Sequence, residues 1–430
     1  MSKRYAEYFD LGAPWISAVD SLGGMTRLKH VSTVQTGLTL SGEGDPVDPE
    51  WPYLRVANVQ VGYVDMREIK TVRVSPERAA ASMLQPGDVL MTEGGDIDKL
   101  GRGAVWRGLV PDMLHQNHIF AVRPCETLDS EFFVYWLDGS VARTYFRTTA
   151  KQTTNLAGTN KWTLGNLPVP VLPMAEQRTI ADYLDRETAL IDTLIEEQRV
   201  LIDLLAERRV AVIAEPFGQA HPTVPLGSAL EELIDHRGKT PGKVGDKTDD
   251  FTDEGVPVVS AIHIKKGQIS WGERERFVPY WMFEKWMPVR LRAGDVLLTS
   301  EAPLGNIAQV PSNAPLVLSQ RLFALRGRED VLDSTYLRYF LESNRGQALL
   351  RDGASGSTVS GIRQSRLVQI PVPVPPLYEQ RQVSMQISEQ IGKIDTLIDE
   401  TERFIELSKE RRSALITAAV TGQIDVREMA

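Results

Sequence analysis

The residue patterns able to carry catalysis are few in this chain. Gly238, Lys239 and Thr240 spell the end of a phosphate-binding loop, in which backbone N–H groups and a lysine cradle phosphates. Such a loop requires another glycine five positions earlier, where the chain has Leu233, and Pro241 is expected to obstruct the helix that must follow. RGKTPGK (Arg237 to Lys243) is therefore expected to be a mobile, basic loop. His115 and His118 are spaced like two zinc ligands, yet no third ligand pattern accompanies them. No glycine fingerprint with a downstream acid and no nucleophile elbow occurs. An amino-methyltransferase would be expected to carry an Asn-Pro-Pro-aromatic or Asp-Pro-Pro-aromatic tetrapeptide, and neither is present. GDVL, at Gly87 and again at Gly294, reads as a glycine turn launching a buried strand. No catalytic residue, no metal site and no cofactor is expected.

What remains is a set of polar and basic loop residues in matching places. The first half offers Thr92, Lys99, Arg102, Gln116, Asn117 and His118, then KQTTNLAGTNKW with Lys151, Thr153, Thr154 and Asn155. The second half offers Lys239, Thr240, His263, Lys265, Thr299, Ser300, Ser319, Gln320 and Arg321, then SGSTVSGIRQSR with Ser357, Thr358, Arg363 and Arg366. Arg and Lys bond guanine edges, Asn and Gln adenine edges, and Ser and Thr either edges or phosphates. Recurrence in both halves makes the set a candidate DNA-reading surface.

The elements that must position these loops also occur twice. PVPVLPMAEQR from Pro168 is followed by IDTLI (Ile191 to Ile195) and ERR (Glu207 to Arg209). PVPVPPLYEQR from Pro371 is followed by IDTLI (Ile394 to Ile398) and ERR (Glu410 to Arg412), every landmark displaced by 203. Constant spacing over some forty residues implies that helical phase matters. Leu184, Thr188, Ile191, Ile195, Gln198, Ile202, Leu205, Arg209 and Val212 mark one seam. Ile387, Ile391, Ile394, Ile398, Thr401, Ile405, Ser408, Arg412 and Leu415 mark the other. A stripe of this period requires a partner helix, and the other copy is the obvious one. The proline-rich entries, poor in backbone donors, are expected to be extended lead-ins that fix where each helix begins.

Ahead of each helix lies a similar run of short β-type segments. WPYLRVANV (Trp51 to Val59), GYVDMREIKTVRV (Gly62 to Val74), GDVLMT (Gly87 to Thr92) and HIFAVRP (His118 to Pro124) lead to a predicted helix, SEFFVYWLDG (Ser130 to Gly139). VPVVSAIHI (Val256 to Ile264), GDVLLT (Gly294 to Thr299), RLFALRG (Arg321 to Gly327) and STYLRYFLES (Ser334 to Ser343) replay that order, with intervals drifting from 203 to 207. Loops of varying length on a fixed scaffold are where binding specificity resides. The expected fold class is α+β: two tandem mixed α/β domains separated by two long helices pairing as an antiparallel coiled coil, with an internal pseudo-two-fold repeat. The expected segments are 1–167, a lead (with LGAPW, Leu11 to Trp15, pinning it) and first domain; 168–225, a central helix; 226–370, a second domain; and 371–430, a C-terminal helix.

Composition sets outer limits. The chain has 430 residues, enough for two to four domains, and a single cysteine, Cys125, which fits a reducing compartment. No stretch looks like a signal peptide or a membrane span, so a cytoplasmic location is expected. The net charge of −9 is distributed as −2, −5, +1 and −3 over the four segments, so the helical segments hold most of it. An acidic rod does not lie on phosphates unaided; any DNA role needs basic loops or a basic partner.

On these motifs the chain resembles the specificity subunit of a type I restriction–modification enzyme over nearly its whole length. The resemblance rests on PVPVLPMAEQR…IDTLI…ERR, on PVPVPPLYEQR…IDTLIDE…ERR…LITAAVTGQIDV, on the GDVL turns and on RGKTP opening the second domain. The first helix departs at its end, where AVIAEPFGQ (Ala211 to Gln219) replaces the TGQ ending seen at Thr421 to Gln423. The resemblance implies two target-recognition domains reading the halves of a bipartite double-stranded DNA sequence. It also implies helices that space them and dock two modification (methyltransferase) subunits, which restriction (translocase and nuclease) subunits join. S-adenosylmethionine, ATP and Mg would then belong to the partners. The alternatives are a coiled-coil scaffold that binds protein without DNA, or an enzyme with an unrecognised site.

Overall fold

The computed structural model describes residues 24–40, 45–97, 99–152, 157–236, 238–265, 267–272, 274–355 and 361–428. LGAPW lies outside them. The chain divides into two compact units: the described residues up to Gln198 with those from Arg403 onward, and Arg199–Glu402.

In the first unit an antiparallel sheet runs in the order Ser32–Thr36, Ile119–Pro124, Val89–Thr92, Gly103–Val105. Alternation of side chains gives this sheet two apolar faces. Val89, Met91, Phe120 and Val122 pack on helical residues including Phe132, Trp136, Leu184, Ile416 and Val420. Leu90, Ile119 and Ala121 pack the other way, with Leu54, Leu84, Trp106 and Met113. A second sheet, Lys70–Arg73, Glu50–Leu54, Leu114–His115, lies beyond.

The second unit repeats the plan. Its sheet order is Leu230–Asp235, Leu322–Gly327, Val296–Thr299, Ile307–Gln309. Val296, Leu298, Phe323 and Leu325 face the helices, while Leu297, Leu322 and Ala324 join a core with Val258, Phe283 and Trp286. In each GDVL segment the glycine takes positive φ, +94° at Gly87 and +90° at Gly294, so the turn is read correctly. The aspartate that follows is buried. Asp88 accepts from Arg123 Nε and Nη2, both at 2.7 Å, and Asp295 from Arg326 Nε and Nη2, both at 2.8 Å.

SEFFVYWLDG forms the helix Ser130–Asp138, capped by the Asp129 carboxylate, and STYLRYFLES forms Ser334–Glu342, capped by Asp333. A second helix follows each, Ser140–Thr149 and Asn344–Asp352, which was not expected from the sequence. The proline entries are extended: Pro168–Pro170 pairs with Met25–Arg27, and Pro371–Pro373 with Thr223–Pro225.

The long helices are Met174–Ala214, 41 residues, and Leu377–Val420, 44 residues. The glutamine of each EQR clasps its helix to the preceding domain. Gln177 Oε1 accepts from Asp129 N at 2.8 Å while Nε2 donates to Thr127 O and Leu172 O, both at 2.8 Å. Gln380 Oε1 accepts from Asp333 N at 2.9 Å while Nε2 donates to Val331 O (2.9 Å) and Pro375 O (2.8 Å).

The seam positions are buried or half-buried as expected, and each unit contains the beginning of one long helix and the end of the other, so the pairing is antiparallel. In the first unit Arg412 Nε lies 3.0 Å from Asp192 Oδ1; in the second Arg209 Nε lies 3.4 Å from Asp395 Oδ1. The two ion pairs are displaced by the same 203 residues as the repeat. The aspartate of each IDTLI thus meets the last arginine of the other copy's ERR. The first helix, whose ending departs from TGQ, stops in a 3-10 turn, Glu215–Gly218, with Phe217 packed on Tyr336 and Phe340.

Candidate nucleic-acid interface

In the first unit the backbone just past the GDVL strand, Gly94–Gly95, pairs with Ala157–Gly158, which pairs with Lys151–Gln152. This hairpin walls an open groove of about 540 Å³ lined by Val56, Glu93, Gly94, His118, Lys151, Gly158, Thr159 and Asn160. His118 and Lys151 are brought together there, and Thr92 immediately precedes Glu93. His118 Nδ1 sits 2.7 Å from Glu93 Oε2. Gln116 accepts from Val56 N at 3.2 Å, at the groove's wall. Asn117 is half-buried, its N–H donating to Leu38 O at 3.1 Å. Lys99 is exposed on a turn. Arg102 is committed to Asp138, Nε to Oδ1 3.2 Å, on the helix Ser130–Asp138. Thr153, Thr154 and Asn155 lie outside the described residues.

The second unit has a counterpart. Arg321, displaced by 203 from His118, holds φ +66° and pairs with Glu301, Nε to Oε1 3.1 Å. The bridge from Glu301 to Gly361 docks the strand pair Ala354–Ser355 and Gly361–Ile362, and Arg363 and Arg366 are exposed beyond it. Ser319 lies in the same turn, its hydroxyl donating to Gln320 O at 3.1 Å. Gln320 Nε2 donates to Lys239 O at 3.1 Å, and Lys239 Nζ to Trp286 O at 2.7 Å, which ties the RGKTP loop to this turn. The loop is therefore pinned rather than mobile in its described part. Thr240 is half-buried and Lys265 exposed. Ser357 and Thr358 lie outside the described residues.

Three expectations change. Thr299 is fully buried, its hydroxyl donating to Pro303 O (2.6 Å) and accepting from Asn306 N (2.8 Å). Ser300 is buried beneath the hairpin strand, its carbonyl accepting from Ile362 N, and His263 is buried with Nδ1 accepting from Ser260 N at 3.1 Å. None of the three offers surface to a base edge. Pro241 does not obstruct a helix: it starts the turn Pro241–Val244, at the position where a missing N–H costs nothing. The other objection stands, because Leu233 is paired in a strand with Leu325.

The histidine pair His115 and His118 diverges. His115 is buried, Nδ1 2.9 Å from Ser82 O, and burial holds its pKa below the ordinary value. Among the described residues no cluster of three or more metal-ligating side chains occurs. Glu93, Thr159 and Asn160 line the first groove and Glu301 holds Arg321, and none of the four was among the expected residues. Thr159 and Asn160 stood in a quoted loop, but a carboxylate set among polar loop residues has no signature in composition.

His236, at the base of the RGKTP loop, gives a pH test. Burial, then the Lys239 charge, lowers its pKa to about 4. It is neutral when folded, while the unfolded group takes a proton below about 6.5. The stability this contributes is intact above pH 6.5 and is lost as pH falls toward 4. Thermal melts of His236→Asn should show a shallower decline over that window than wild type; an identical slope would refute the assignment.

Two mixed domains, each followed by a long helix of an antiparallel pair, define the architecture. Residues 232–406 match the family model described as the type I restriction modification DNA specificity domain. A Methanocaldococcus jannaschii protein assigned as the type I restriction enzyme MjaX specificity subunit is 21% identical over 422 residues, 93% of each chain. The EcoKI specificity subunit of Escherichia coli is 24% identical over 183 residues, 41% of this chain and 37% of that one. Two solved structures share the fold. One is a chain from work on complex assembly and conformational transition of the type I R-M system (TM-score 0.66, 18% identity, 93% of this chain and 98% of that one). The other is the HsdS subunit of Thermoanaerobacter tengcongensis (TM-score 0.56, 18% identity, 93% and 97%). The resemblance read from the repeat is borne out: the chain resembles the specificity subunits of type I restriction–modification enzymes.

Proposed function

We propose that this chain is the DNA-reading specificity subunit of a type I restriction–modification system. The observation that carries the reading is that one tip is built twice: His118 on Glu93 and Arg321 on Glu301, each beside a hairpin docked past a GDVL strand. Segments 1–167 and 226–370 are then the two target-recognition domains, each meeting half of a bipartite double-stranded site. Lys99, Gln116, Asn117, His118 and Lys151, with Thr92, serve the first half-site; Lys239, Thr240, Lys265, Gln320, Arg321, Arg363 and Arg366 serve the second.

Segments 168–225 and 371–430 space the domains and dock two modification subunits, with restriction subunits joining them. In support, each helix carries a second apolar stripe beside the seam. Leu190, Leu201 and Leu204 are exposed on one, and Leu397, Phe404 and Leu407 on the other, Leu201 and Leu204 matching Phe404 and Leu407 at the interval of 203. The matched pair of exposed positions on each helix fits two copies of one partner. The chain itself is non-catalytic, with S-adenosylmethionine, ATP and Mg on the partner subunits, and it works in the cytoplasm. Among the described residues no helix is long and apolar enough to cross a membrane.

Replacing residues 26–167 with the equivalent block of a relative should change one methylated half-site and leave the other as it was. Methylome sequencing of cells carrying the full system reads this directly. A swap that alters both halves, or neither, refutes the modular reading, and a wild-type system with no sequence-dependent methylation refutes the function.

A further inference from the structure

Beside the groove of the first unit, and outside the residues assigned to base reading, lies a small basic pocket. Lys29, Ser32, Val34, Lys161, Trp162, Gly165 and Asn166 line about 150 Å³. Trp162 is 77% exposed, the most exposed of the described tryptophans. Leaving an indole so open to water is costly, and an aromatic face rimmed by cations marks a contact surface.

The pocket is built rather than incidental. Asn166 anchors it: its side chain donates to Trp162 O at 2.9 Å and accepts from Lys29 Nζ at 3.1 Å. The short helix Lys161–Gly165 is capped by the Asn160 side chain, which accepts from Thr163 N at 2.9 Å. Asn160 also lines the groove that holds His118 and Lys151, so pocket and groove are continuous along the chain. No carboxylate lines the pocket, and among the described residues neither Lys29 nor Lys161 makes an ion pair, in a chain of net charge −9. The second unit does not copy it: Gln364 and Ser365 stand at the positions of Lys161 and Trp162.

We infer that Lys29, Lys161 and Trp162 grip the sugar–phosphate backbone of duplex DNA beside the first half-site, in a contact independent of base sequence. The inference rests on the reading that the first domain binds DNA. Two ammonium groups without a counter-charge and a planar apolar face lining the same pocket suit a phosphate flanked by sugar, and no base edge is needed. Such a contact adds affinity and salt dependence while leaving the recognised sequence alone.

The test uses the full chain assembled with its modification subunits and a labelled duplex of random sequence, titrated by anisotropy between about 50 and 200 mM salt. Trp162→Ala should weaken binding measurably and by a similar factor at every salt concentration, since it removes apolar contact and no charge. Lys29→Ala with Lys161→Ala should lower the slope of log K against log salt by about 0.9 for every phosphate no longer neutralised. Methylome sequencing with each variant should return the wild-type target. Unchanged affinity and slope overturn the proposal, as does a changed half-site, which makes the patch a base reader. Failure of the variants to assemble, with normal DNA binding by whatever complex forms, makes the patch a protein contact and also overturns it. A wild-type complex that binds no duplex sinks the DNA reading itself, and the proposal with it.

Discussion

Asp295→Ala should destabilise the second unit by about 3–5 kcal/mol, the usual cost of stripping one partner from a buried ion pair. The Arg326 side chain is only 10% exposed, and Asp295 supplies both oxygens to it while also accepting from Arg292 N at 2.9 Å. Removing the carboxylate leaves a guanidinium with one backbone acceptor, Arg290 O, and a distant Glu231 at 4.0 Å. The equivalent Asp88→Ala should cost less, because the Arg123 side chain is 33% exposed and water can reach it. Urea titration followed by tryptophan fluorescence measures both, Trp286 being buried in the affected core. Adding Arg326→Met to Asp295→Ala should recover part of the loss, since an apolar pair needs no counter-charge. A loss below about 1 kcal/mol for Asp295→Ala would show that the pair is dispensable.

Four residues inserted after Gln198 and four after Thr401 should widen the gap between half-sites by one or two base pairs without changing either half. Four residues are close to one helical turn and add about 6 Å, against about 3.4 Å per base pair along a strand. The two insertions must be made together. Asp192 and Arg412 lie outside the inserted turns on one side, Arg209 and Asp395 on the other, so the double insertion keeps both ion pairs. A single insertion after Gln198 carries Arg209 a full turn past Asp395 while Asp192 stays with Arg412, and one pair must break. The single variant should therefore lose most methylation, and the double variant should methylate a site with a longer gap. Methylome sequencing decides the matter: an active double variant with the original gap would leave the helices as docking surfaces and no ruler.

The helix pair was legible because its rules are periodic. A constant 203-residue displacement and an apolar seam demand one packing solution, and Ile191, Ile195, Ile387 and Ile398 are buried accordingly. Motif residues visible as landmarks had roles that spacing alone does not reveal. The glutamine of EQR is a backbone clasp, and the aspartate of IDTLI meets the arginine of ERR across the pair. Loop residues were legible only by type, and type does not report direction. Thr299 ends a buried strand and Ser300 follows it, and both side chains stay buried, whereas Arg321, at a positive φ, pairs with Glu301. The helix Ser140–Thr149 was missed because SVARTYFRTT is rich in β-branched residues; packing of Val141, Ala142 and Phe146 on the core overrides that propensity.

The core of the first unit contains Leu28 near one end of the chain and Ile416, Ala419 and Val420 near the other. On a ribosome the first domain therefore emerges long before the helical turns that complete it. Residues 199–402, the whole second unit, are synthesised in between. At about 5–20 residues per second this leaves the first domain's helix-facing surface uncovered for roughly 10–40 s. During that interval the nascent chain presents Phe132, Trp136 and Leu184 without their final neighbours, a surface suited to chaperone capture. Chains released early, short of Ile416, never close it, so a truncated product leaves apolar side chains of the domain made first open to water.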